Sequence, residues 1–202
     1  DGNQFNTADV FTGKFNEACS DFDIIDIGAE STAPFNPAIT SEDELRRFEE
    51  VLFPLLKESN DNELTISIDT YKIDVFKTVY TEIKKHWPKT HIIFNDVSGK
   101  IDEELISILD TDMDFSYIYS HNLAPTRNET SKHMEFTTDE DIVLHMHKYF
   151  SNALGTLNNF NKKIILDPCF GFSKTREQNH FLIKNLKHVF EGIDTKYDLM
   201  YG

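Results

Sequence analysis

Residues 65–96 read TISIDTYKIDVFKTVYTEIKKHWPKTHIIFND. Two short runs rich in β-branched and aromatic residues, Thr65–Asp69 and His91–Asn95, flank a longer stretch, Tyr71–His86. Within that stretch Val75, Phe76, Val79 and Ile83 recur at helical spacing. Pro88 follows its end, where the chain needs to stop being helical. A short continuous apolar run suits a strand covered on both faces, which is the usual condition of parallel strands. The segment therefore reads as strand, helix, strand.

The same unit recurs on either side. Upstream lie the run Ile24–Gly28 (IIDIG) and a helix over Ser41–Glu58, with Leu45, Phe48, Leu52, Leu55 and Leu56 on its apolar side. Ser41 and Glu44 have the spacing of a capping box, and Pro54 sits inside the helix as a candidate kink. Downstream come the runs Phe115–Ser120, Ile164–Asp167 and Asp198–Tyr201. Between them are helices over Asp139–Leu154 and Glu177–Phe190, the second led by a Thr175/Gln178 capping box. Strict alternation predicts an α/β fold with a parallel sheet. About six strand–helix steps are visible, whereas a closed barrel has eight. The pattern alone leaves two arrangements open: a doubly wound sheet, or a barrel whose first and last strands lie outside the chain. No low-complexity stretch or linker divides residues 1–202, so one domain is expected.

Composition narrows the function. A net charge of −15 argues against a nucleic-acid partner, which requires clustered Lys and Arg. An anionic substrate would need local cations, backbone N–H groups or a divalent metal to offset that field. Cys19 and Cys169 are too few and too distant for a disulfide framework, which points to a reducing, cytoplasmic setting. No apolar run is long enough to span a bilayer.

Polar residues gather at strand ends: Asp26, Asp69, Asn95, Asp96, His121 and Asp167. Asp and Asn also end strands and cap helices as a matter of course. Their recurrence strand after strand instead suggests one mouth of a barrel, where active sites sit. His145 and His147 are two apart on a helix and face different ways, so they do not chelate one ion. With His133 they are expected on the surface. Arg127–Lys132 (RNETSK) reads as a solvated polar loop. No glycine-rich dinucleotide fingerprint follows any strand.

Four segments, in this order and spacing, resemble the signatures of the dihydropteroate synthase family: DIGAESTAP at 26–34, ISIDT at 66–70, Asn95-Asp96-Val97, and ILDPCFGFSK at 165–174. The resemblance covers nearly the whole chain. It implies a pterin-binding (β/α)8 TIM barrel, incomplete at both ends here. The implied transferase condenses 6-hydroxymethyl-7,8-dihydropterin diphosphate with 4-aminobenzoate to give dihydropteroate and pyrophosphate, for folate biosynthesis. Alternatives are a non-catalytic or degenerate pterin-binding domain, or a folate-dependent methyltransferase of the same superfamily.

By the same resemblance, Asp167, Asn95, Val97 and Phe172 bind the pterin and its neighbour, and Asp69 is the catalytic and pterin-binding carboxylate. Thr32 and Pro34 belong to the loop that meets the diphosphate and aminobenzoate. Chemically, a carboxylate accepts two adjacent N–H groups of a pterin edge, and an amide both donates and accepts. The resemblance also implies Mg2+ carried by the diphosphate, with no dedicated protein metal site. It further implies a homodimer, a fusion to another folate-pathway enzyme in some members, and a sulfonamide target. Two residues depart from the family pattern: Ala33 stands where Arg is usual, and Cys169 where Gly is usual.

Overall fold

The computed structural model describes residues 7–33, 36–58, 64–194 and 196–201. The chain divides into two units, Asp1–Asn95 and Asp96–Gly202. In the first, α1 (Ala8–Asp21) leads into β1 (Ile24–Gly28), α2 (Ser41–Glu58), β2 (Thr65–Asp69), α3 (Ile73–His86) and β3 (His91–Asp96). The second holds α4 (Glu103–Leu109), β4 (Ser116–Ser120), a 3-10 segment (Arg127–Glu135), α5 (Ile142–Leu157), β5 (Lys163–Asp167), α6 (Arg176–Val189) and β6 (Asp198–Leu199).

In the first unit β1 pairs with β2 and β2 with β3, all parallel. The register sets Gly28, Asp69 and Asn95 side by side at the strand ends. Ile66 and Ile68 of β2 are fully buried, as are Leu52 of α2 and Val79 and Ile83 of α3. Phe76 of α3 stacks on Phe94 of β3 at 4.1 Å, and Trp87 meets Phe15 of α1 at 5.7 Å. In the second unit β4, β5 and β6 are parallel, and Ser120 lies opposite Asp167. Tyr117, Phe150, Leu166 and Leu182 form its fully buried centre. His147 Nδ1 lies 2.9 Å from Val189 O, tying α5 to α6.

Several local expectations are met. Thr175 and Gln178 form a reciprocal capping box on α6. Pro54 lies within α2, which continues to Glu58. The Ser41/Glu44 box is a correction. Thr40 is the residue whose hydroxyl accepts the Asp43 N–H, at 3.1 Å, and Glu44 is instead fully buried against Lys72. The segment at 127–135 is a second correction: Arg127, Thr130 and His133 are buried, not solvated. His145 and His147 are half-buried.

Candidate active site

Each unit carries strand-end residues of the expected kind. In the first, Asp69 lies close against the glycine beside it. A Cβ on Gly28 would lie 3.2 Å from the Cβ, backbone O and Oδ2 of Asp69. One strand further, Asn95 is 4% exposed, and its Nδ2 donates to Asp26 Oδ1 at 3.3 Å. Its Oδ1 is buried without a hydrogen-bond partner. An orphaned buried acceptor is costly, so it marks a place where a ligand N–H would be stabilising. Asp26 reaches solvent, yet the protein around its carboxyl pushes its pKa up, partly offset by the Asn95 amide. The sequence pattern reads Asp26 as a strand-end acid, yet it is the third of the five residues of β1. Its alternation with buried Ile25 and Ile27 is the signal that was available.

Asp26, Asp69, Thr32, Ala33 and Arg47 all line one open cavity of about 760 Å3 in this unit. Arg47 reaches in from α2 and donates to Ala29 O at 2.6 Å. Pro34 lies outside the described residues. Val97, which belongs to the second unit, is 8% exposed and its carbonyl accepts the Asn122 side-chain amide at 2.9 Å.

In the second unit Asp167 closes β5 and is 5% exposed. Its Oδ1 accepts the Cys169 N–H at 2.7 Å, and its Oδ2 accepts the Ser120 hydroxyl at 3.3 Å. Burial raises its pKa, against the Cys169 N–H and nearby Lys174, which lower it. The loop that follows coils tightly, with Cys169, Gly171 and Ser173 all at positive φ. Lys174 is 1% exposed and turns back to donate to the carbonyls of Cys169 at 2.9 Å and Phe172 at 2.7 Å. Burial pulls its pKa down to about 8, with Cys169 and Asp167 opposing. Phe172 stacks flat on His133, with centroids 3.8 Å apart and 4° between planes. One face of Phe172 is thus taken by the protein itself.

The turn after β3 is built around Asp96, one of the strand-end acids, which is fully buried. Arg127 Nη1 lies 2.9 Å from both Asp96 oxygens, while its Nε donates to Asp102 at 2.9 Å. The Tyr117 hydroxyl donates to Asp96 Oδ2 at 3.1 Å. Gly99 has φ +64°, and a Cβ there would lie 2.3 Å from the Tyr149 hydroxyl and 2.6 Å from Ser120 O, so only glycine fits. His121 is fully buried beside His145 and Tyr149, and neither ring nitrogen has a hydrogen-bond partner.

Residues 21–202 match the family model described as pterin binding enzyme, and the chain belongs to that family. The fold class is accordingly the (β/α)8 TIM barrel, with six parallel strands among the described residues. A dihydropteroate synthase from Clostridium beijerinckii is 29% identical over 95% of this chain and 65% of its own length. A bifunctional folate synthesis protein of Pisum sativum is 30% identical over 86% of this chain and 33% of its own. The solved structure of a dihydropteroate synthase from Clostridium difficile, determined in the presence of pteroic acid, aligns with a TM-score of 0.72 at 28% identity. That alignment covers 98% of this chain and 68% of the other. The chain therefore spans 65% or less of the length of these two curated relatives. Among the described residues no helix is long and apolar enough to cross a membrane.

Proposed function

We propose that the chain carries the pterin-binding part of a dihydropteroate synthase. The observation that carries this reading is Asp167: a buried carboxylate at a strand end, its two oxygens oriented by the Cys169 N–H and the Ser120 hydroxyl. Such a group suits the paired N–H donors of a pterin edge, because charge-assisted bonds to a fixed acceptor give orientation as well as energy. In the first unit Asn95 offers its orphaned Oδ1 to a ligand N–H, and Asp26 holds that amide in place. Val97 lines the ring.

The reaction we assign joins 4-aminobenzoate to the pterin methylene. The amine nitrogen forms a bond to that carbon, the C–O bond to the diphosphate breaks, and the diphosphate leaves with the electron pair. The nitrogen then loses a proton. Asp69 stabilises the cation that develops on the pterin as the C–O bond lengthens. Thr32 and Pro34 serve the diphosphate and aminobenzoate, and Phe172, backed by His133, offers its other face to the aminobenzoate ring. Mg2+ held chiefly by phosphate oxygens and water would neutralise the leaving group. The reading includes a cytoplasmic homodimer, open to sulfonamides and to fusion with another folate-pathway enzyme, as the pea relative's bifunctional name suggests.

The test is calorimetric binding of a dihydropterin. Asp167→Ala should weaken binding by about 1.5–3 kcal/mol, the margin of a charged hydrogen bond. A folded Asp167→Ala protein that binds as tightly as its parent would remove Asp167 from the site.

A further inference from the structure

Glu30, Lys72 and Glu44 form a charge cluster in the first unit that the reading above leaves without a task. Lys72 Nζ sits between Glu30 Oε2, in a short contact, and Glu44 Oε2 at 2.6 Å. The side chains of Lys72, Glu30 and Glu44 are 12%, 4% and 0% exposed. Burying two carboxylates around one ammonium is a poor route to stability, since apolar residues would fill the same space at less desolvation cost. Its value lies in fixing geometry.

That geometry bears on a loop. The other oxygen of Glu30, Oε1, accepts the Ile39 N–H at 3.1 Å and the Tyr71 hydroxyl at 3.2 Å. One carboxylate thus joins the two ends of the segment 30–39, while Lys72 from the start of α3 and Glu44 from the first turn of α2 hold it still. Thr32 and Ala33 lie within that segment and line the cavity shared with Asp26 and Asp69.

We propose that Lys72, clamped between Glu30 and Glu44, is a positioning residue that holds Glu30 against Ile39 so that Thr32, two residues after Glu30, meets the diphosphate and aminobenzoate side of the reaction. Lys72 itself touches neither substrate. The inference rests on the synthase reading for its substrates, but the clamp is testable without turnover.

Amide hydrogen exchange in the full-length protein reads the clamp directly. Lys72→Met should speed exchange at the Ile39 amide at least about tenfold while Ile66 and Ile68 in β2 stay protected. Glu30→Gln, which keeps the volume and an acceptor oxygen, should do the same if Lys72→Met fails to fold. Lys72→Arg should restore protection. In turnover, Lys72→Met should raise the KM for 4-aminobenzoate about tenfold and leave dihydropterin affinity within about twofold. Unchanged Ile39 exchange in folded Lys72→Met or Glu30→Gln overturns the clamp. Faster exchange with an unchanged aminobenzoate KM overturns its role in positioning. A parent protein without turnover would overturn the synthase reading, and the exchange result would still decide the clamp.

Discussion

At the scale of single residues, the β5–α6 loop shows how a buried carboxylate is kept oriented. Asp167 is held by the N–H of Cys169, and that N–H is aimed by a backbone turn at φ +50°. A side chain in that region costs about 1–2 kcal/mol, which explains why glycine is usual there and Cys169 is a departure. Lys174 closes the turn from below by binding two of its carbonyls. Its pKa falls from 10.5 to about 8 in the folded chain. Between those values the unfolded chain holds the extra proton, so this residue's contribution to stability grows as pH rises from about 8 to about 10.5. Below that window its cost is fully present, and the span corresponds to about 3 kcal/mol. Urea unfolding across the window should show a shallower rise for Lys174→Met than for the parent. Parallel curves would mean that Lys174 is not desolvated as described.

At the scale of elements, the 3-10 segment after β4 is bound to the turn after β3 through charge. Arg127 spans Asp96 and Asp102, and its own pKa is raised by them despite burial. Asp102, also the N-cap of α4, is held low by Arg127 against its partial burial. Tyr117 and the Ser98 N–H complete the hydrogen bonds of Asp96. Arg127→Met should destabilise the protein by about 3–5 kcal/mol, because Asp96 would stay buried without its cation. Denaturant unfolding measures this directly, and a loss below about 1 kcal/mol would mean that water replaces the guanidinium. Gly99 belongs to the same turn, where the Tyr149 hydroxyl reaches its carbonyl at 2.8 Å and leaves no room for a side chain.

At the scale of the whole molecule, the elements legible in the sequence are those whose periodicity is strong: the β-branched runs and the amphipathic helices between them. Helix α1 was not legible because only Phe15 of its fourteen residues is buried, which leaves almost no apolar face to read. Helix α4, at seven residues, is too short to establish a period. Asp69, Asp96 and Asp167 were legible as strand ends and do close β2, β3 and β5, whereas Asp26 lies in the middle of β1. The burial of Arg127 and His133 was not legible, since it depends on Asp96 and Phe172, partners far away in the chain. Nor was the Lys72 clamp, for the same reason. The net charge of −15 constrains the function as well. Under the proposed function, an anionic substrate would call on local features such as Arg47, backbone N–H groups and a metal brought with it. The most direct test is formation of dihydropteroate by the full-length protein from dihydropterin diphosphate, labelled 4-aminobenzoate and Mg2+. The account predicts labelled product only when both substrates are present. A folded protein that binds the pterin and forms no product would contradict it, and would make the chain a pterin-binding module without the transfer chemistry.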